Sequence, residues 1–236
     1  MLLIQVLSGI PYPQFGASAF NLFWGGGLSL IVGTIALVIT TTLLGWWRPA
    51  IFERQRSRHR WPIIAPLLFG LLALANLILT DWASYSLAFF GASLVLLLVG
   101  FTEELTDRGL LVVALRSRLS EVWVWFLSSL LFGASHLITL LLGQDVLPTI
   151  VQVFDAFLAG SVLYIARRVT GSLVLSMVIH GLWDFSAFAL QHGVESEYAP
   201  IVLGTHTAVM LLSLAVVPFV IRGANERIAA PADRTS

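Results

Sequence analysis

Residues 85–113 read YSLAFFGASLVLLLVGFTEELTDRGLLVV, a long apolar stretch with a charged group inside it. Residues 85–102 carry no charged side chain, and a transmembrane helix needs roughly 20 mostly apolar residues. Four charged residues follow directly: Glu103, Glu104, Asp107 and Arg108. The stretch therefore predicts a membrane-spanning helix that carries ionisable side chains in its interior.

The composition of the whole chain also predicts a membrane protein. Of its 236 residues, 58% are hydrophobic and only 11% are charged, and the mean hydropathy is +0.90. An average soluble domain has roughly 25% charged residues, and one soluble core of this size could not bury so much apolar surface. The formal net charge is zero, so no charge bias points to a nucleic-acid partner. Cysteine is absent, which excludes disulfides, thiolate metal ligands and cysteine nucleophiles.

Seven apolar segments are long enough to cross a bilayer. They lie near residues 17–46, 61–80, 85–113, 122–142, 147–166, 172–190 and 201–221. Together they predict an all-α, polytopic membrane protein with a single transmembrane domain over residues 1–236. Residues 1–14 have no charged start and no small-residue cleavage site, so we expect them to lead into the first span rather than to form a signal peptide.

The arginines predict the orientation of these spans. All but Arg108 fall in the loops after spans one, three, five and seven: Arg48, Arg54, Arg56, Arg58, Arg60, Arg116, Arg118, Arg167, Arg168, Arg222, Arg227 and Arg234. The alternate loops hold acids and no arginine: Asp81, Asp145, Glu195 and Glu197. Because arginine-rich loops stay in the cytosol, we expect the N-terminus outside and the C-terminus in the cytosol. The simplest location is the plasma or inner membrane.

Ionisable side chains inside a span are costly, by about 2.5–3.5 kcal/mol each on insertion scales, and usually mark function. The spans contain several of them, among them Glu103, Glu104, Asp107, Arg108, His136, Asp155, His180 and Asp184. Glu104 and Arg108 stand four residues apart, so they can form an ion pair on one helix face. Glu103 and Asp107 form a like-charge pair, of which one member can act as a base near neutral pH.

His180 and Asp184 form a third pair with the same spacing, in which the acid can fix the tautomer of the imidazole. At about 1.5 Å per residue from the arginine loops, Glu104, His136 and His180 all lie about 15–24 Å deep. Three different helices are therefore expected to deliver acid, base and histidine to one buried pocket.

Three short motifs follow one another on these helices. Residues 103–108 read EELTDR, or EExxxR, residues 132–136 read FGASH, or FxxxH, and residues 180–184 read HGLWD, or HxxxD. In this order on successive membrane helices, the motifs resemble the CAAX protease and bacteriocin-processing (CPBP, or Abi) family, which includes the type II CAAX prenyl endopeptidases. The resemblance covers about residues 96–185, which we take as the catalytic core.

The resemblance implies an intramembrane endopeptidase, with prenylated CAAX tails as one substrate class. Its partners would be membrane lipid and a peptide or protein substrate at the membrane. The catalytic residues that it implies are Glu103, Glu104, His136, His180 and Asp184. Glu103 would be the general base that activates water, and His136 would help to hold that water. Glu104 would shape the site with Arg108, while His180 and the side chain at position 184 would stabilise the oxyanion.

Two positions depart from the pattern that is common in the family. Asp107 stands where Phe is common, which places a second carboxylate beside Glu103 and makes Asp107, like Arg108, a supporting residue of the site. Asp184 stands where Asn is common. An ionised Asp cannot donate a hydrogen bond to an oxyanion, so Asp184 is expected to be protonated, to orient His180 or to bind a metal.

A metal ion is the open question about the site. Glu103, His136 and His180 supply two histidines and one carboxylate, a set that suits a catalytic zinc ion with an open coordination position. The HExxH helix of many zinc peptidases is missing, however. The alternatives are a divalent metal, with zinc as the candidate, or no cofactor and a glutamate-dependent protease, and the residues slightly favour the second.

Two other functions stay open at the level of the sequence. Buried Glu, Asp and His side chains also form the relays of proton- or cation-coupled transporters. That function predicts polar residues running to both membrane surfaces, whereas the spans outside this cluster are nearly free of charge. A non-catalytic membrane scaffold that keeps the fold is the other alternative, because a motif does not demonstrate turnover.

Overall fold

A computed structural model describes residues 1–192 and 199–223, and the regular elements within these ranges are helices. In chain order they are α1 (Leu2–Ser8), α2 (Ala19–Leu43), α3 (Trp47–Ile51), α4 (Trp61–Leu79), α5 (Leu87–Arg116), α6 (Glu121–Leu141), α7 (Val146–Thr170), α8 (Val174–Gln191) and α9 (Ala199–Ile221). Four residues used in the orientation prediction lie outside the described residues: Glu195, Glu197, Arg227 and Arg234.

Seven of these helices, α2 and α4 to α9, are long and apolar enough to cross a membrane. They coincide with the seven predicted spans to within a few residues at each end, which confirms the prediction of an all-α, polytopic membrane protein. Large apolar side chains point outward from them, and Leu43, Ile78 and Leu87 are each more than four-fifths exposed, at 82%, 82% and 87%. Such surfaces are stable in contact with lipid rather than with water.

The centre of the bundle is α7, whose residues 160–169 are all buried. It packs against α6 on one side and against α4, α8 and α9 on the others. The apolar core between α4, α7, α8 and α9 consists of Phe69, Leu158, Val162, Leu163, Ile179, Val209 and Met210. This core holds α8, the helix of the HxxxD motif, in a fixed position relative to α7.

The backbone of α5 is not a regular α-helix along its whole length. Leu94–Leu96 form a turn of 3-10 helix, and Leu105–Leu111 form a π-helix. Short π-helical segments inside α-helices occur frequently at functional sites, because the wider turn changes the direction in which side chains leave the helix. The π-helix of α5 begins immediately after Glu104, in the middle of the EExxxR motif.

The helices α5 and α8 touch through two glycines, Gly100 and Gly181. A Cβ atom added to Gly100 would clash with the carbonyl oxygen of Met177 and would lie 2.5 Å from the backbone nitrogen of Gly181. Small residues allow the backbones of membrane helices to approach this closely. Gly100 stands about one turn before Glu104 and Gly181 directly follows His180, so the contact sets the distance between the two motifs.

Candidate active site

Four charged side chains of α5 stand where its α-helical part meets its π-helix. Glu103 and Glu104 end the α-helical part, and Asp107 and Arg108 lie within the π-helix. The side chains of Glu104 and Arg108 are fully buried, whereas that of Glu103 is 31% exposed. The two neighbouring glutamates therefore have different surroundings, with Glu104 inside the protein and Glu103 at an open space.

The guanidinium of Arg108 is held between three helices. Its Nη1 donates to Glu104 Oε1 at 2.9 Å, which is the ion pair that the four-residue spacing predicts. Its Cζ lies 3.8 Å from the ring centroid of Phe132 on α6, a favourable cation–π contact. On α7, Gly160 leaves the space that Arg108 occupies, because a Cβ there would lie 2.6 Å from Nη2.

The same oxygen of Glu104 also holds His180 on α8. His180 Nδ1 lies 3.0 Å from Glu104 Oε1, and both side chains are buried. In this bond Nδ1 carries the proton, because a carboxylate beside Arg108 accepts rather than donates. The expectation that Asp184 fixes the tautomer of His180 is therefore wrong. The residue that holds the ring comes from another helix, which spacing along α8 alone does not reveal.

The other ring nitrogen of His180 faces two further carboxylates. Its Nε2 is 3.7 Å from Glu103 Oε2 and 3.8 Å from Asp184 Oδ2, and the side chains of these acids are 31% and 34% exposed. Both distances are too long for direct hydrogen bonds and suit contacts that a water molecule bridges. Nε2 of His180 and the carboxylates of Glu103 and Asp184 thus border one partly exposed polar space, here called the gap.

His136 stands at the break in α6 where the regular helix ends. Its Nδ1 is 3.0 Å from the carbonyl oxygen of Phe132, which can only accept, so Nδ1 carries the proton and Nε2 has a free lone pair. The ring of Phe132 lies edge-on to both imidazoles, with centroids 5.3 Å from His136 and 5.5 Å from His180. Asp184 also interacts electrostatically with His136. Phe132, the first residue of the FxxxH motif, thus connects the two histidines.

The structure brings six of the predicted residues into one cluster around the ring of His180: Glu103, Glu104, Arg108, His136, His180 and Asp184. Asp107 stands at its edge. The charge of Asp107 acts on Arg108, Glu103, Glu104 and His180. It extends the negative side of the site rather than contacting the imidazole.

The arrangement of these residues bears on metal binding. Among residues 1–192 and 199–223, no group of three or more His, Asp or Glu side chains is placed so that it could hold a metal ion. Glu103, His136 and His180, the possible ligand set, are thus not gathered around one point. Nδ1 of His180 is bonded to Glu104 and Nδ1 of His136 to the carbonyl oxygen of Phe132, so Nε2 is the open nitrogen of each ring.

A second charged cluster lies where α5, α6 and α7 meet the arginine-rich segment after α2. Glu53 bonds three arginines, at 2.7 Å to Arg116, 2.6 Å to Arg167 and 3.0 Å to Arg168. Arg116 also bonds Glu121 at 2.6 Å, and the hydroxyl of Tyr164 donates to Glu121. We predicted these three arginines in loops, but all of them are buried in the last turns of α5 and α7.

The buried arginines stabilise the charged form of Glu53. Burial by itself would raise the pKa of this carboxyl, but Arg167, Arg116 and Arg168 outweigh it and lower the pKa to about 2. Sequence reasoning missed Glu53. The signal that was available is its position as the single acid in the arginine-rich segment 48–60, where a lone negative charge is a natural partner for buried guanidinium groups.

The comparisons with known proteins agree with the motifs. Residues 85–186 match the family model described as type II CAAX prenyl endopeptidase, Rce1-like. This match includes the EExxxR, FxxxH and HxxxD motifs, and it confirms the resemblance to that family over the helices that carry the site. Neither the search of curated proteins nor the search of solved structures finds a match to the chain.

Proposed function

We propose that this chain, whose residues 85–186 match the Rce1-like endopeptidases, is an intramembrane endopeptidase that hydrolyses peptide bonds of membrane-associated substrates. The family match favours a protease, and the seven spans favour a substrate at the membrane. One observation carries the mechanism. Glu104 holds His180 at Nδ1, and the opposite nitrogen faces the carboxylates of Glu103 and Asp184 at 3.7 and 3.8 Å.

In this mechanism a water molecule in the gap is the nucleophile, and Glu103 is the general base. Glu103 is suited to this role because its carboxylate is the exposed member of the glutamate pair and is not neutralised by a direct ion pair with Arg108. The free lone pair on Nε2 of His136 can accept the second hydrogen of the water and so orient it. After the attack, Glu103 returns its proton to the leaving amine.

His180 would stabilise the oxyanion of the tetrahedral intermediate. When both ring nitrogens carry protons, Nδ1 donates to Glu104 and Nε2 donates into the gap. A donor fixed before the reaction stabilises developing charge more than a mobile one does. Glu104 and Arg108 act through His180, because they hold the ring in the orientation that points Nε2 at the gap.

We propose that this chemistry needs no metal ion, because the placement of Glu103, His136 and His180 does not fit one. Among membrane-associated substrates, we propose that the class cleaved is prenylated CAAX tails. The orientation that we propose has the N-terminus outside and the C-terminus in the cytosol of the plasma or inner membrane. It rests on the exposed arginines of the segment between α2 and α4: Arg48, Arg54, Arg56, Arg58 and Arg60.

The test is cleavage of a quenched fluorescent peptide by the purified protein in lipid vesicles, with a farnesylated and an unmodified CAAX peptide. Wild type is expected to cleave, and Glu103→Gln is expected to lose about 10²–10⁴-fold in kcat, which is the range that general-base catalysis supplies. The control is Asp145→Asn, which removes an exposed acid that makes no side-chain cap. Equal cleavage by wild type and Glu103→Gln would contradict the role of Glu103, and no cleavage by wild type would contradict the function.

The same assay tests the absence of a metal. A strong zinc chelator such as 1,10-phenanthroline is expected to leave kcat unchanged, because no described set of side chains is arranged as ligands. Loss of activity that added Zn²⁺ restores would overturn the metal-free mechanism and leave the endopeptidase proposal standing.

A further inference from the structure

The short 3-10 helix Tyr12–Ala17, which precedes the first span, lies against the elements that carry the site. The backbone nitrogen of Tyr12 donates to the carbonyl oxygen of Leu142 at 2.8 Å. Leu142 ends the run of turns that begins at His136, since Thr139 bonds His136 and Leu142 bonds Thr139 through their backbones. Tyr12 is thereby tied to the segment of α6 that positions His136.

The other side of this helix packs on α8. A Cβ atom at Gly16 would be in ordinary contact, at 3.5 Å, with the ring of Phe188. Phe188 stands one helical turn after Asp184, on the same face of α8. The segment with Tyr12 therefore bridges the helices of His136 and Asp184, although it lies outside residues 85–186.

The hydroxyl of Tyr12 has a defined orientation. Gln152 Nε2 donates to the Tyr12 oxygen at 3.2 Å, and Gln144 Nε2 donates to Gln152 Oε1 at 3.3 Å. The Tyr12 oxygen is thus an acceptor in this bond. Its own hydrogen is engaged by no acceptor among the residues that the structure describes, so it can be donated elsewhere.

The surroundings of Tyr12 keep that hydrogen in place. Burial raises the pKa of the phenol, the hydrogen bond from Gln152 lowers it, and the negative charges of Asp184 and Glu103 raise it further. The phenol is a neutral donor at physiological pH as a result. The influence of Asp184 and Glu103 also shows that the hydroxyl is within electrostatic reach of the gap.

The proposed reaction needs donors at the oxyanion, and an ionised Asp184 can only accept. We propose that the hydroxyl of Tyr12 is a further donor of the active site and hydrogen-bonds the oxyanion of the tetrahedral intermediate, with Gln152 as its positioning residue. This inference rests on the proposed function. It makes Tyr12 a catalytic residue supplied by the segment before the first span.

The first experiment compares wild type with Tyr12→Phe in the peptide assay. Removing one oxyanion donor typically costs about 10²–10³-fold in kcat, and KM should change little, since the donor acts in the transition state. Tyr85→Phe is the matched control, because Tyr85 also has a buried hydroxyl but contacts His192 and Phe89 rather than the site. Thermal unfolding midpoints close to that of wild type would show that both variants keep the fold.

A second experiment separates donation from packing. Asp184→Asn places an amide donor beside the gap, so Tyr12→Phe should cost at least about tenfold less in the Asp184→Asn background than in wild type. A merely structural role of Tyr12 predicts the same loss in both backgrounds. Wild-type cleavage with unchanged kcat in Tyr12→Phe would overturn this inference alone, as would equal losses in the two backgrounds. If wild type does not cleave, the proposed function and the role of Tyr12 are both overturned.

Discussion

At the scale of single residues, the two adjacent glutamates of α5 differ more than their positions suggest. Glu104 is fully buried and one of its oxygens bonds both Arg108 and His180, at 2.9 and 3.0 Å. Glu103 has an open space in front of it and makes only a long contact with His180. Glu104 is therefore the structural residue of the pair, whereas Glu103 is the one that the proposed mechanism uses as the base.

Replacing each glutamate by glutamine should separate stability from activity. Glu104→Gln leaves the guanidinium of Arg108 buried without its counter-charge, and breaking a buried ion pair in this way costs about 3–5 kcal/mol. Glu103→Gln should keep the stability of wild type, because Glu103 is partly exposed and has no close ion pair. The measurement is the unfolding midpoint in detergent, together with cleavage activity.

Both glutamine variants should be inactive, so activity alone does not distinguish the roles. A Glu104→Gln protein as stable as wild type would show that the bond between Glu104 and Arg108 contributes little. A destabilised Glu103→Gln protein would show instead that Glu103 has a structural role that its exposure does not suggest.

Some of these contacts follow from the sequence and others do not. The pair of Glu104 and Arg108 is predictable because two residues four apart share a helix face. The partner of His180 is not, since Glu104 stands on another helix and Asp184 has the more obvious spacing. Tyr12 gave no signal either, because a single tyrosine ahead of the first span belongs to no pattern.

At the scale of elements, the contact between α5 and α8 leaves no room for a larger residue. Gly100→Ala places a methyl group against the backbone of α8, where nothing flexible can give way. Overpacking of this kind costs typically 1–3 kcal/mol, and it should separate Glu104 from His180 and lower kcat. Thermal unfolding and peptide cleavage measure the two effects.

The control for this substitution is Gly91→Ala in the same span, because a Cβ at Gly91 has nothing within 4 Å. It should leave activity unchanged and stability the same or slightly higher, as alanine favours the helix more than glycine does. Equal behaviour of the two variants would show that the contact of Gly100 with α8 is not tight in solution.

The elements themselves were largely predictable, because apolar segments of bilayer length leave few alternatives to a helix. The irregular parts of α5 were not. A π-helix between Leu105 and Leu111 depends on how α5 packs against its neighbours, and hydrophobicity along the chain does not encode that.

At the scale of the whole molecule, Glu53 joins the segment after α2 to the helices of the family match. Its three arginines lie on α5 and α7, and Arg167 additionally donates to the backbone oxygens of Ala50 and Pro49, at 2.9 and 3.0 Å. The segment between α2 and α4 is thereby fixed to the core by charge.

This cluster should make stability depend on pH. The pKa of Glu53 is lower in the folded protein, about 2 against 4.5, so its contribution is present above about pH 4.5 and is lost as the pH falls toward 2. Roughly 3 kcal/mol is expected at neutral pH. Unfolding midpoints of wild type in detergent should fall steeply below pH 4.5.

Glu53→Gln removes the titrating group, so its midpoint should be lower at neutral pH and less sensitive to acid. The exposed acid removed in Asp145→Asn serves as the comparison, and that variant should titrate as wild type does. A Glu53→Gln protein with the acid sensitivity of wild type would assign the dependence to other carboxyls.

The contact between Gly100 and Gly181 also restricts how a substrate arrives. A peptide that enters the bundle sideways from the bilayer must pass between two helices. The backbones of α5 and α8 touch at these glycines and leave no opening between the two helices at that level. In the proposed function, a scissile bond that reaches Glu103 from the bilayer therefore passes above or below this contact, or between another pair of helices.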